Sequence, residues 1–422
     1  MPNEFIRPVR NELSTSFRQE LLRQEAEALA ETAESTNLLA SRLLADALRH
    51  HASDIHLDPQ GQSSRIRFRI DGDLLDVAIL SRAQGGRLLR HFKAISGLDS
   101  ADRFRPADSR LTQIVDGREI DLRIAALPSV AGEKLSIRLL DRSRVLQHLD
   151  ELGFTDEQRD KIEQWLKNIC GMFLVAGPTG SGKTTTLYAI LHELRLRDRC
   201  VVTIEDPVEY SIEGIVQTQV DRRHDLSFAQ GLRGMLRADP DYLLLGEIRD
   251  AEAADAAMEA SGSGRVLMST IHAPDAISAI TALRNFGLAD HQIASSLRMV
   301  VAQRLVKRLC RRCRKQRSLE ESERQLLQSL GLPATAQQTW TATGCVDCRY
   351  LGYDGRIGVF EVWRLVDADY DAILHHADER ALRAGATSRG LRSLAHDGWL
   401  KVEQGITSIE EWRTLSGTYS FA

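Results

Sequence analysis

One octapeptide constrains this chain more than any other stretch of its 422 residues. Gly177-Pro-Thr-Gly-Ser-Gly-Lys-Thr184 satisfies G-x-x-x-x-G-K-[ST], with an apolar run at 172–176 before it and a helical pattern starting near Lys183 after it. Strand, glycine loop, helix is the context in which such a loop cradles phosphates. The glycines are needed because backbone N–H groups must crowd around phosphate oxygens, and a Cβ would stand in the way. Gly177, Pro178, Thr179, Gly180, Ser181, Gly182, Lys183, Thr184 and Thr185 are therefore the candidate nucleotide-binding residues. Lys183 supplies a point charge for the β- and γ-phosphates, and Thr184 a hydroxyl for Mg²⁺. A phosphate loop of this kind belongs at the C-terminal edge of a parallel sheet, so an α/β core is expected around it.

The surrounding pattern agrees. Short apolar segments at 172–176, 201–204, 242–245 and 266–269 alternate with helical stretches, the signature of a parallel sheet flanked by helices. Three of them end in polar groups, in the order expected of a RecA-like ATPase core. Thr203-Ile-Glu-Asp-Pro-Val-Glu-Tyr210 carries Glu205, Asp206 and Glu209. Tyr242-Leu-Leu-Leu-Gly-Glu247 ends in Glu247, placed to polarise attacking water, while Gly246 stands where a Walker B aspartate is usual. Ser269-Thr-Ile-His272 ends in His272, a candidate sensor of the γ-phosphate. Glu247, Lys183, Glu205 and His272 are the catalytic candidates, with Glu205 and Glu247 acting on Mg²⁺ through water. After residue 290 the pattern reads as helical apart from a cysteine-bearing insert.

N-terminal to this core the period changes to two. In Arg65-Ile-Arg-Phe-Arg-Ile70 apolar and basic residues alternate, and Asp71-Gly72 makes a hairpin turn; a second hairpin over 111–125 turns at Asp116-Gly117. With helices near 37–48 and 83–96 and a strand over 134–140, residues 37–140 form a small α+β domain. A polar helical arm (1–36) precedes it, a charged linker (141–150) follows, and 151–422 is the ATPase domain. Thr155 and Gln158 have the spacing of a capping box that opens the latter.

Formal charge is −4, from 55 basic and 59 acidic residues, so no global field draws the chain to nucleic acid or anionic lipid. No apolar run approaches the ~18 residues of a spanning helix, and no leader pattern is visible. A reducing compartment follows, where Cys310-x-x-Cys313 and Cys345-x-x-Cys348 read as a four-thiolate Zn²⁺ site, Zn-binding cysteines 310–348 forming an insert. Basic residues crowd 304–315, but no aromatic residues are interleaved to stack on bases, so direct nucleic-acid contact is not expected.

These motifs together resemble a known family, the secretion and pilus-assembly ATPases of type II secretion and type IV pili (GspE/PilB-like). The resemblance runs from about 40 to 417. It is carried by Ala52-Ser-Asp-Ile-His56, Arg69-Ile-Asp-Gly72, Gly132-Glu-Lys134, Arg138-Leu-Leu140 and the phosphate loop. It continues through Ile204-Glu-Asp-Pro-Val-Glu209 (the family's Asp box), Gly246-Glu-Ile-Arg-Asp250, Ser269-Thr-Ile-His272 (its His box), Ala302-Gln-Arg-Leu-Val306, the cysteines, Gly352-Tyr-Asp-Gly-Arg356, Gly358 and Glu361. It implies a PAS-like domain before a RecA-like domain, a homohexamer using ATP, Mg²⁺ and Zn²⁺, and arginines from the smaller domain that reach the phosphates: Arg105, Arg110, Arg123 and Arg138.

It further implies a cytoplasmic motor, peripheral to the bacterial inner membrane. Its partners are an inner-membrane platform protein and a membrane docking protein, and it drives pseudopilus assembly in type II secretion. Type IV pilus extension and conjugation-type DNA transfer are the other services such a core performs. The family's Pro-Gln-Asp-Gly-Arg reads Pro-Ala-Asp-Ser-Arg here, Arg265 replaces the first His-box histidine, Ala273-Pro274 replaces polar residues after His272, and the short N-terminal stretch implies a short form without the family's N-terminal docking domain.

Overall fold

A computed structural model describes residues 33–141, 148–167, 170–195, 199–332 and 338–416. The arm expected at 1–36 and the linker expected at 141–150 fall mostly outside them. The chain divides into two compact units, Met1–Val145 and Leu146–Ala422.

The first unit is a six-stranded antiparallel sheet: β1 (Asp54–Gln60), β2 (Ser63–Ile70), β3 (Asp73–Ser81), β4 (Ala107–Val115), β5 (Arg118–Ser129) and β6 (Gly132–Asp141), in the spatial order β3-β2-β1-β6-β5-β4. One face is apolar. Ile66, Phe68, Ile70, Ile120, Leu122, Ile124, Leu135 and Ile137 bury against the helices Ala33–Arg49 and Arg82–Ile95. Because side chains alternate along a strand, the same alternation puts Arg65, Arg67, Arg69, Arg123 and Arg138 on the other face. The sequence reading named no strand at β1, although Ile55 and Leu57, buried in the core, alternate with Asp54, His56 and Asp58. Within this unit Lys93, fully buried, donates to Glu133 at 2.7 Å and to the carbonyl of Asp102 at 2.6 Å. That fastens the loop carrying Arg105 to its own sheet.

The second unit is a seven-stranded sheet of β7 (Gly171–Ala176), β8 (Val201–Glu205), β9 (Val216–Gln219), β10 (Tyr242–Ile248), β11 (Val266–Ile271), β12 (Leu297–Leu309) and β15 (Tyr353–Arg364). A two-stranded ribbon, β13 (Lys315–Ser318) with β14 (Gln338–Thr341), stands apart from it. The order is β15-β12-β7-β11-β10-β8-β9, parallel throughout except for β15, which runs antiparallel to β12. Thr155 caps the helix Asp156–Trp165 with the reciprocal Gln158 bond.

The helical expectation for residues beyond 290 is corrected here. β12 and β15 are long paired strands, and helices resume only around them. Leu297 to Val306 is buried almost throughout because both sheet faces are covered, so it shows a continuous apolar run rather than a period of two. A run of that kind does not separate strand from helix by periodicity. The core strand β7 lies between β11 and β12, and the phosphate loop leaves its C-terminal end, where ligands of open parallel sheets bind.

Candidate active site

The loop after β7 folds tightly against β12. Gly177 has φ +158°, and a Cβ there would stand 2.5 Å from Ser181 Oγ and 2.7 Å from the carbonyl of Gln303; one on Gly182 (φ +88°) would meet Gln303 Nε2 at 2.7 Å. Around Gly180 (φ +79°) there is only open space. Two glycines thus permit close packing behind the loop, and the third is exposed on its open side. Ser181 Oγ is buried with no hydrogen-bond partner among the described residues, an orphan polar group that a phosphate oxygen would satisfy. Lys183 Nζ donates to the carbonyls of Gly177 (2.8 Å) and Pro178 (3.2 Å), lying back over the loop. Burial holds its pKa below the ordinary lysine value; Glu247 opposes that shift and Arg304 adds to it. Thr184 is exposed at the start of the helix Lys183–Arg195, Thr185 is half-buried, and Thr186 Oγ1 donates to Gln303 Oε1 at 2.7 Å.

Glu247 and His272 meet at the ends of β10 and β11, with His272 Nε2 2.9 Å from Glu247 Oε1. Both are half-exposed and reachable from solvent. Ser269 and Thr270 hydroxyls donate to the carbonyls of Leu245 (2.7 Å) and Gly246 (2.8 Å), clamping the two strand ends together. The β10–β11 register shifts between Leu245 and Ile248, so Glu247 sits within a bulged strand rather than beyond its end. At Gly246 a Cβ would lie 3.3 Å from Glu205 Cα and from the carbonyl of Ile204. Any larger residue, the usual aspartate included, would press on β8.

Lys183, Glu247 and His272 are therefore brought together. Glu205 stands one strand over, with its carboxylate turned into a buried network: it accepts from Tyr188 Oη, from Thr203 Oγ1 at 2.7 Å and from Gln217 Nε2 at 3.2 Å. Burial raises its pKa and the three donors oppose the rise. Tyr188 and Gln217 escaped the sequence reading, and Gln303 entered it only within the motif Ala302-Gln-Arg-Leu-Val306, without a role. Gln303 left one trace, a lone amide within an apolar strand.

The four candidate arginines all lie in the first unit. Arg105 is exposed on the loop before β4. The others share one register row on the polar sheet face: Arg110 faces Arg123, Arg123 faces Arg138, Arg138 faces Asp54, and Asp54 faces Arg69. Like charges directly opposed across strands are unfavourable, so such a row fits a surface that receives an anion.

The four cysteines converge. Cys310 and Cys345 sulfurs are 3.8 Å apart, Cys313 and Cys348 3.7 Å, and Cys345 and Cys348 3.8 Å. A tetrahedron of thiolates about Zn²⁺ with ~2.3 Å bonds has edges of about 3.8 Å, so this set fits a metal ion. The backbone N–H groups of Cys345 (3.1 Å) and Gly352 (3.2 Å) donate to Cys348 Sγ, as a metal thiolate requires of its surroundings. A Cβ on Gly344 (φ +92°) would strike the carbonyl of Tyr350 at 2.6 Å, which accounts for the glycine in the knuckle.

Comparison with known proteins agrees with this picture. The model of the family described as "Type II/IV secretion system protein" matches residues 29–414. The type II secretion system protein E of Aeromonas hydrophila is 42% identical over 373 residues, covering 88% of this chain and 74% of that protein. The type II secretion system ATPase E of Vibrio cholerae is 41% identical over 375 residues, with the same coverage. Among solved structures, the ATPase DotB of Legionella pneumophila superposes with a TM-score of 0.67 at 22% identity, covering 90% of this chain and 96% of its own. The pilus retraction motor PilT with bound ADP gives 0.60 at 21%, covering 89% and 96%. These structures share the fold.

Proposed function

The chain belongs to the type II/IV secretion system protein family, and from that membership we propose an ATPase motor that drives pseudopilus assembly in type II protein secretion. It is an ATP-hydrolysing enzyme, converting ATP and water to ADP and phosphate. The observation that carries the reading is the convergence of Lys183, Glu247 and His272 beside a glycine loop whose Ser181 hydroxyl is buried without a hydrogen-bond partner among the described residues.

In this reading the loop N–H groups, Ser181 and Lys183 bind the β- and γ-phosphates. Glu247 accepts a hydrogen bond from the attacking water and increases its nucleophilicity. His272, its Nε2 2.9 Å from Glu247 Oε1, steadies the carboxylate and responds to the γ-phosphate on the same edge. The Thr184 hydroxyl, exposed at the helix start, would hold Mg²⁺, which neutralises phosphate charge when bound. Arginines of the first unit, Arg123 foremost with Arg105, Arg110 and Arg138, complete the charge stabilisation when the units close. Glu205 serves as a buried anchor of the neighbouring strand.

Zn²⁺ is the metal that Cys310, Cys313, Cys345 and Cys348 suit best, as a structural cross-link. Assembly as a homohexamer in the cytoplasm, docked on inner-membrane platform and docking proteins, completes the proposal. No helix among the described residues is long and apolar enough to cross a membrane, so attachment there rests on partners. Nucleic acid has no part in it. The test is Glu247→Gln: ATP binding stays near normal while hydrolysis slows at least ~100-fold, because the water loses its polarising group and the cradle stays intact. Wild-type turnover by this variant refutes the assignment.

A further inference from the structure

The segment Ala52-Ser-Asp-Ile-His56 carries no nucleotide-binding role in the reading above, yet its side chains are as tightly placed as any in the first unit. Asp54 is 7% exposed at the start of β1, on the arginine face of the sheet. Its Oδ1 accepts from Arg138 Nε at 3.0 Å. Its Oδ2 accepts from Ser53 Oγ at 2.8 Å and lies 3.8 Å from Arg69 Nε. Arg69 is itself held by the carbonyl of Gly72 at 2.8 Å. Ser53 is fixed by main-chain bonds on both sides, its N–H to Arg69 O (2.8 Å) and its carbonyl to the N–H of Leu139 (2.9 Å), next to Arg138. Two residues along, His56 Nδ1 and Ser136 Oγ repeat the cross-strand link at 3.0 Å.

The bond pattern on Arg138 is the informative part. A guanidinium has one Nε–H and four terminal N–H donors. Here Asp54 takes the Nε–H, while the two terminal nitrogens have no protein partner among the described residues and the side chain is 59% exposed. A purely structural ion pair with an aspartate would gain more from the bidentate fork. Bracing at Nε alone fixes the last torsions of the side chain and leaves the fork presented to solvent. Asp54 is also the only carboxylate in a row that otherwise holds Arg110, Arg123, Arg138 and Arg69.

We propose that Asp54, steadied by Ser53, is a positioning residue that holds the terminal nitrogens of Arg138 ready for the phosphates of the substrate nucleotide. This rests on the reading that Arg138 serves hydrolysis. The device lowers the entropic cost of arresting a long, exposed arginine at the moment of phosphoryl transfer. The carboxylate stays away from the nucleotide and acts through the arginine.

The experiment is a double-mutant cycle on the full chain, with ATP turnover, KM for ATP and thermal melting read for each variant. Arg138→Ala is expected to lower kcat by ~100-fold or more. Asp54→Ala is expected to lower kcat about 10- to 100-fold, the scale at which a misplacement of ~1 Å is felt, with KM within about threefold. In the Arg138→Ala background, Asp54→Ala adds less than about twofold. Asp54→Asn, which keeps the shape and one accepting oxygen, recovers part of the kcat and folds even where the alanine variant does not. Multiplicative losses in the double variant, or a kcat loss that tracks the melting temperature, overturn the proposal. So does a normal kcat for Asp54→Ala beside a crippled Arg138→Ala, with the reading of Arg138 left standing. Normal turnover by Arg138→Ala removes that reading, and the bracing role with it.

Discussion

Glu361, in the middle of β15, has no exposed surface, and both its oxygens are used: the N–H groups of Ala276 (3.0 Å) and Leu394 (3.3 Å) donate to it. It thus ties the segment after His272 and the helix Leu394–Glu403 to one strand. Burial, reinforced by the neighbouring Asp275 and opposed by Arg383, pushes its pKa up to about 7. A carboxyl group with a raised folded-state pKa binds its proton more tightly in the native than in the unfolded chain. Its contribution is therefore full below about pH 4.5 and is lost as pH rises through about 7. The size of that loss between pH 5 and 8 is about 2–3 kcal/mol. Glu361→Gln has no charge to bury but cannot accept from both N–H groups. It is expected to be less stable than the wild type by about 1–3 kcal/mol at pH 5, with the gap closing as pH rises to 8. Urea unfolding of both chains across this range measures it, and parallel pH profiles would rule out the titration of Glu361.

At the scale of elements, the cysteine knuckle is built from two short turns beside a two-stranded ribbon, with Cys310 and Cys348 buried and Leu319, Leu327 and Leu332 of the intervening segment drawn into the core of the second unit. Metal ligation at such a knuckle supplies folding free energy. Purified, reduced protein is expected to carry about one Zn²⁺ per chain. Cys345→Ser should lose it and expose the ribbon to protease while the sheet of the second unit persists; metal-free protein of unchanged protease resistance would discard the assignment.

Which elements were readable from sequence follows the same physics. The phosphate loop, the cysteine pairs and the alternating strands β2 and β5 are local patterns, so they could be read directly. β12 and β15 were not, since a strand buried on both faces has no period to reveal it. The cage around Glu205 and the Asp54–Arg138 pair were equally hidden. Tyr188 reaches Glu205 from 17 residues away, across from the helix Lys183–Arg195 to β8, and Arg138 meets Asp54, 84 residues away, only through strand register.

At the scale of the molecule, the cations are divided between the two units. Lys183 and Arg304 belong to the unit with the phosphate loop, whereas Arg105, Arg110, Arg123 and Arg138 belong to the other. If those arginines serve hydrolysis, turnover depends on closure of one unit, or one subunit, upon another, and binding alone does not. Arg123 is the sharpest probe. It lies in β5 between Leu122 and Ile124, both buried, so its outward face is set by the strand and its loss leaves the core intact. Arg123→Ala is expected to keep ATP affinity within about tenfold while hydrolysis falls by ~10³ or more, the scale of a missing arginine finger. A solvated strand residue would instead change stability by under ~1 kcal/mol and leave turnover alone. The same dependence on closure makes specific activity rise with protein concentration as chains assemble. Normal hydrolysis by Arg123→Ala, together with specific activity flat across a hundredfold range of concentration, would mean that each chain works alone and that the hexameric motor is the wrong description.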